Sequence, residues 1–364
     1  MVVGEPRVDG ATVSAPVFLP DRETDIFYSA SPGPISQLAD PFLVATLIPA
    51  MRFGLDLVMR APVSSRLMAA IPRVQKILHG WNRRFRRIDV QADLRPGSRD
   101  ADRGTASFFS CGVDSFFSVL RHDDIDKLVF ARGFDPKIAG TARDEQLNRH
   151  VRTAASELGK PLIEVETNIR TVWDREVSWE YFHGAAVLSI ALALAPRFSR
   201  IYMPPSHDLA SLVPWGSHPD LDPLWSTEEV EILYVDAEPT RFQRVAVLAD
   251  SDVALRHLQV CWEHRNEEYN CCRCEKCLRL MTTLHVLGKL DASPAFPLPL
   301  EPNAIASLTL YPLHIRKQAA ENLRALEAAG GNDDLSQAIR QALRRPLAGR
   351  LRRFLSRRRH AAPL

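Results

Sequence analysis

Between Thr105 and Pro204 short apolar runs alternate with helical patterns, and this alternation limits the fold more than any other feature of the chain. Thr105–Ser110 reads as a strand and Ser115–Arg121 opens a helix. Lys127–Arg132 is a strand, Asp144–Leu158 a helix closed by Gly159, and Pro161–Glu166 a strand. Tyr181–Ala195 is an apolar helix in which Gly184 and several Ala permit close packing, and Arg200–Pro204 is the next strand. Successive parallel strands need crossovers, so this repeat implies an α/β fold, a parallel sheet with helices on both faces. Ligands of such sheets sit beyond the carboxyl ends of the strands.

Before this region the pattern differs. Residues 1–16 show no clear period and read as a loose or edge segment. Pro41–Gly54 reads as a buried helix, and residues 55–64 as a strand leading to a cap at Ser64–Ser65. Arg66–Trp81 carries Leu67, Ile71, Val74, Ile77 and Leu78 at helical spacing, and Phe85–Ala92 alternates like a strand. A small α/β domain over 1–98, ending in the breaker-rich run 95–98, is therefore expected ahead of the parallel sheet at 99–250.

The 364 residues are 46% hydrophobic and 25% charged, which excludes a chain disordered throughout. The longest apolar candidate, Gly184–Pro196, is shorter than the ~18–20 residues of a membrane span. The opening MVVGEPRVDG lacks the pattern of a secretory signal, so a cytoplasmic location is the expectation. Nine Arg and no acid fall within residues 340–364, so the +2 chain carries −7 over its first 339 residues. That acidic body gives no electrostatic reason for a long nucleic acid to lie across it.

The most specific turn is Phe108-Phe109-Ser110-Cys111-Gly112-Val113-Asp114-Ser115-Phe116, between a strand and a helix. Backbone N–H groups and the dipole of a helix start suit a phosphate. Gly112 lets the chain approach a ligand, and Ser110 and Ser115 supply hydroxyls. The Lys of a Walker loop is absent. An ordinary turn with a Ser/Asp cap is the plainer alternative. Cys111 is either a replacement for glycine or a thiol activated at a helix start.

Five of the six Cys lie within 17 residues, and Cys261, Cys271, Cys274 and Cys277 give the spacing C-x9-C-x2-C-x2-C. Four thiolates with two CxxC steps suit a closed, structural zinc site. An iron–sulfur cluster and buried free thiols are the alternatives. Arg273 and Lys276 offset the charge of such a centre, and Cys272 is a spare thiol. The zinc segment spans 251–300, and a helical segment with the Arg-rich tail spans 301–364.

The turn resembles the fingerprint SGGxDS of the PP-loop ATP pyrophosphatase superfamily (adenine nucleotide alpha hydrolase-like). Ser110, Gly112, Asp114 and Ser115 match, and Cys111 stands where the first Gly belongs. The order of turn and cysteines is similar to that of the zinc-containing 7-cyano-7-deazaguanine synthases, over roughly residues 104–290. The resemblance implies a HUP-like sheet that binds ATP with magnesium. Ser110, Cys111, Gly112, Val113 and Ser115 would hold pyrophosphate, while Asp114 would order the turn or reach the magnesium ion. It also implies an AMP- and pyrophosphate-forming ligase that adenylates a small carboxylate or carbonyl for attack by ammonia or an amine, giving an amide or a nitrile. Phe134 and Asp135 would lie near the adenosine. Sulfur transfer to tRNA or a metabolite and a non-catalytic nucleotide-binding assembly module are the alternatives.

The polar, aromatic stretch 215–227 follows Ser206-His207-Asp208 at the carboxyl end of a strand. His218 can shuttle a proton, Asp220 or Asp222 can hold magnesium, and Trp215 or Trp225 can stack on a planar ring. His207 and Asp208 line the same approach, and Arg170 can face a phosphate or carboxylate. The alternatives are a stapled surface loop, an Arg170 salt bridge and, for His183, a packed or capping role. The tail carries an apolar stripe of Leu347, Leu351, Phe354 and Leu355 broken by Pro346, beside Arg350, Arg352, Arg353, Arg357, Arg358 and Arg359. It is either solvated or in contact with an anionic membrane or RNA. A homo-oligomer stays open.

Overall fold

The computed structural model describes residues 1–96, 103–134, 140–263, 268–331 and 333–345. Asp135 and the tail from Pro346 onward lie outside the described residues. The chain divides into two compact units, Met1–Glu238 and Pro239–Leu364.

The first unit opens with β1 (Val2–Val3), β2 (Arg7–Asp9), β3 (Thr12–Phe18) and β4 (Glu23–Ser31). Then come α1 (Asp40–Phe53), β5 (Leu57–Met59), β6 (Val63–Ser64), α2 (Ser65–Trp81), β7 (Val90–Gln91) and β8 (Leu94–Arg95). The strand–helix repeat follows as β9 (Thr105–Phe108), α3 (Val113–Arg121), β10 (Lys127–Arg132), α4 (Ala142–Glu157) and β11 (Leu162–Thr167). It ends with α5 (Ile169–Trp173), α6 (Trp179–Ala193), β12 (Arg200–Tyr202) and β13 (Glu231–Leu233).

One sheet takes in most of these strands, in the order β13-β12-β9-β10-β11-β4-β3-β1-β5-β7, with β2 on β3. From β13 to β11 every pairing is parallel. Counted along the chain from β9, that part has the order 3-2-1-4-5, the doubly wound arrangement. The order reverses between β9 and β12.

The expected boundary near 98 does not separate two bodies. β4 pairs antiparallel with β11, matching Val165 to Ala30, and β3 pairs with β4 over seven positions. Residues 1–16, expected to be loose, instead supply β1, β2 and most of β3. In β3 the buried residues Val13, Ala15 and Val17 alternate with more exposed ones, and in β4 Ile26, Tyr28 and Ala30 do the same.

The helix expected at 41–54 forms as α1, buried from Asp40 to Met51 and closed by Gly54 in the left-handed region (φ 70°). Its apolar residues face all directions, as in a helix enclosed by protein. Ser64 caps α2, its hydroxyl accepting from Leu67 N at 3.0 Å. The strand expected over Phe85–Ala92 shrinks to Val90–Gln91. The backbone of that segment is already engaged, with Arg86 N donating to Met51 O and Ile88 N to Gln75 Oε1.

The second unit is helical: α7 (Arg241–Leu248), α8 (Asp252–His257), α9 (Glu275–Val286), α10 (Pro302–Ala306), α11 (Leu313–Ala328) and α12 (Asp333–Arg344). A capping box of Thr240 and Gln243 starts α7. Leu278, Ile305, Leu326 and Ile339 share one core cluster. The cysteine segment and the helices after it are therefore one body, which begins at Pro239 and takes in α7. Among the described residues no helix is long and apolar enough to cross a membrane.

Candidate functional site

The turn at 110–115 leaves the carboxyl end of β9 beside the point where the strand order reverses. β9 is buried along its whole length, and Phe109 N donates to Val129 O at 2.8 Å, so the chain leaves the sheet only at Ser110. Ser110 is exposed and Cys111 is buried. Cys111 has φ 57°, in the left-handed region. Gly112 is the N-cap of α3, with extended φ −76° and ψ 163° and no side-chain cap. The left-handed position is therefore Cys111, at a cost of about 1 kcal/mol for its Cβ. The Ser115 hydroxyl donates to Gly112 O at 3.0 Å and accepts from Ser110 N at 3.3 Å, binding the turn to itself. Asp114 lies half-buried in the first turn of α3. Phe109 meets Phe116 edge-on at 4.9 Å, which fixes the helix to the strand. The first N–H groups of a helix have no intrahelical acceptor, and here they open from a glycine cap.

Along the same carboxyl edge a row of rings forms. Phe134, beyond β10, lies 5.3 Å from Trp179 at the start of α6. Arg170, beyond β11, sets its guanidinium 4.4 Å over Trp179, donates to Phe134 O and pairs with Asp174 at 3.2 Å. His183 Nδ1 donates to Trp179 O at 3.0 Å, and burial pushes its pKa down to about 4. Trp215 stands 5.3 Å from His183 and 5.5 Å from His207. Asp208 is half-buried at the start of a short 3-10 turn. Arg170, His207 and Trp215, expected from the sequence, thus share one neighbourhood. Trp179, which links them, is not singled out by any motif.

His218, Asp220 and Asp222 make a separate, self-bonded turn. Asp222 is fully buried and accepts from Ser217 Oγ at 2.6 Å and His218 N at 3.2 Å. Burial pushes its pKa up to about 7, and those two hydrogen bonds oppose the rise. Its carboxyl thus staples the loop. His218 Nδ1 accepts from Asp220 N at 3.1 Å, the ring packs edge-on to Trp81 at 5.1 Å, and burial lowers its pKa. The Asp220 side chain is exposed, whereas Trp225 lies in the core.

A further polar cluster carries no sequence motif. Asp236 has φ 65° and accepts from His122 Nε2 at 2.5 Å and Arg121 Nε at 3.1 Å. Tyr202 stacks on His122 at 4.5 Å and donates to Asp124 at 3.1 Å. Burial first, then the Asp124 charge, pushes the Tyr202 pKa up to about 12.

In the second unit the four expected ligand atoms of Cys261, Cys271, Cys274 and Cys277 lie within 4.8 Å of one another, all buried. Cys261 and Cys274 sulfurs stand 4.0 Å apart. A tetrahedral ion with metal–sulfur bonds of about 2.3 Å needs edges of about 3.8 Å. The cage therefore suits one ion such as zinc better than a multi-iron cluster, whose irons spread their thiolates. Cys274 N donates to Cys271 Sγ at 3.3 Å and Cys277 N to Cys274 Sγ at 3.5 Å, the latter also capping α9. Such N–H groups offset thiolate charge. As bare thiols Cys274 and Cys277 resist ionisation: the bond with Cys261 is the first cause for each, and it pushes Cys274 up to about 12. Cys272 (φ 53°) is buried beside the cage, its thiol donating to Asn270 O at 3.4 Å.

Compared with known proteins, the chain matches no family model, no curated protein and no solved structure.

Proposed function

We propose that the protein is an ATP-dependent synthase that forms AMP and pyrophosphate. It adenylates a small carboxylate or carbonyl for attack by ammonia or an amine, giving an amide, or, where ammonia is the donor and a second ATP adenylates the primary amide oxygen so that AMP leaves, a nitrile. The observation that carries this reading is the glycine-capped turn 110–115 at the reversal point of a 3-2-1-4-5 sheet. A helix start at that place favours an anion through its N–H groups and dipole.

In the first step a carboxylate oxygen attacks the α-phosphorus, the bond to the bridging oxygen breaks, and pyrophosphate leaves. The backbone N–H groups of Gly112 and Val113 and the hydroxyl of the exposed Ser110 would receive the outer phosphates, a preorganised stabilisation of the leaving charge. Asp114 would meet magnesium or order the turn. In the second step the amine attacks the acyl carbon, AMP leaves and a proton is lost. Arg170 brings positive charge to the same sheet edge, and Trp179 and Trp215 bring flat apolar surface for a ring. The four cysteines would hold a structural zinc, since four thiolates leave no open coordination position.

Sulfur transfer through Cys111 or Cys272 is the weaker reading, because both thiols are buried. The test is product analysis of ATP turnover with a panel of small carboxylic acids and ammonia. AMP and pyrophosphate formed only with an acid present support the proposal, and ADP with phosphate overturns it.

A further inference from the structure

Three of the four cysteines are placed by local geometry. Cys271, Cys274 and Cys277 follow in steps of three through a turn and the start of α9, with N–H groups directed at the sulfurs of Cys271 and Cys274. Cys261 comes to them from outside this run. It lies ten residues upstream of Cys271, on a segment that is neither helix nor strand.

Asn270, adjacent to Cys271, makes the connection. Its side chain is fully buried, and its Oδ1 accepts from both Val260 N at 3.0 Å and Cys261 N at 3.2 Å. Its Nδ2 donates to Leu258 O at 2.8 Å and to Ala295 O at 3.0 Å. A carboxamide is the neutral side chain with one accepting oxygen and two donating hydrogens in one plane, and all of that capacity is used here. The oxygen grips the backbone of the Cys261 segment, and the nitrogen holds the same segment at Leu258 O and ties it to Ala295 O.

We propose that Asn270 is a positioning residue of the metal centre, setting the Cys261 sulfur at tetrahedral distance from the other three. This rests on the reading of the four cysteines as a metal site. A residue that merely filled the core would affect folding alone. A positioning residue changes the metal itself, as partners behind the ligands do elsewhere.

The experiment uses the full chain, with cobalt(II) as spectroscopic probe and zinc in competition with a chelator. In Asn270→Ala we expect weaker thiolate-to-cobalt charge transfer, as Cys261 drifts from the ion, and zinc held about 10–100-fold less tightly. Asn270→Asp keeps the accepting oxygen but loses the two donors. It should retain the charge-transfer bands and fall between wild type and the alanine variant in zinc affinity. Ser293→Ala removes a neighbouring hydrogen bond to Leu255 O (2.7 Å). It should lower the thermal midpoint and leave both metal readouts unchanged.

A folded Asn270→Ala protein with wild-type spectrum and zinc affinity overturns the proposal. If that variant does not fold, an Asn270→Asp protein with wild-type zinc affinity overturns it. Failure of wild-type protein to bind either ion overturns instead the metal reading beneath it.

Discussion

Gly184, in the first half of α6, lies against Gly216, so that an added Cβ would overlap the Gly216 carbonyl oxygen and come within 2.9 Å of Ser217 N. Gly216 N in turn donates to Glu180 O at 2.7 Å. This contact seats the loop that carries Trp215 on the helix that carries Trp179 and His183. Alanine at 184 gains up to about 1 kcal/mol of helix propensity but meets backbone on the other side. We expect Gly184→Ala to destabilise the fold by about 1–3 kcal/mol. Gly80→Ala in α2, where a Cβ has open space, should stabilise it by up to about 1 kcal/mol. Urea midpoints of the two variants check both signs.

At Cys111 the usual order of Ala and Gly should invert. The residue is fully buried and has φ 57°. Alanine keeps the backbone strain and loses the buried sulfur, whereas glycine relieves the strain at about 1 kcal/mol. Cys111→Gly should therefore be more stable than Cys111→Ala by about that amount. An alanine variant equal or superior to the glycine variant in chemical denaturation would rule out strain at this position.

Asp222 should make stability fall with rising pH. Its folded pKa, about 7, stands above the ~3.9 of an unfolded Asp, so the folded state holds the proton more tightly between those values. The advantage is complete below about pH 4 and is lost as pH rises through about 7. His183 acts in the opposite sense. Its folded value near 4 lies below the unfolded ~6.5, so its contribution returns as pH rises across that interval. Asp222→Asn removes the first effect and leaves the second. We expect its stability relative to wild type to climb from pH 4 to pH 7, and parallel profiles would contradict the assignment.

Metal removal should act on the second unit. The cage of Cys261, Cys271, Cys274 and Cys277 is buried and offers one ion's coordination. Metal bound only by the folded chain stabilises it by mass action. A strong chelator should lower the thermal midpoint, and added zinc should restore it. Cys277→Ser should start from the lower midpoint and show little response to the chelator.

The strand–helix repeat after Thr105 was legible because each strand is a short apolar run with a helix pattern behind it. The cap at Ser64 and the four-cysteine spacing were legible for the same reason: local chemistry dictates them. The N-terminal strands were not. β3 holds its alternation in the small residues Val13, Ala15 and Val17, and Pro16 within it argues against a strand on sequence alone. Its pairing with β4, and that of β4 with β11, is non-local and leaves no mark in the sequence around it. In the candidate site, the turn residues were visible as a motif. The Trp179 row, the Asp236–His122 pair and the bracing by Asn270 join residues far apart in sequence. Asp222 read as a possible magnesium ligand, and only its burial reveals that it binds its own loop.

Equilibrium dialysis of labelled ATP with magnesium against zinc-loaded full-length protein bears most directly on the turn at 110–115. We expect saturable binding at one site per chain, displaced by pyrophosphate and weakened by Gly112→Val, which crowds the helix start. Absence of saturable ATP binding to folded, zinc-loaded protein would contradict a nucleotide site at this turn.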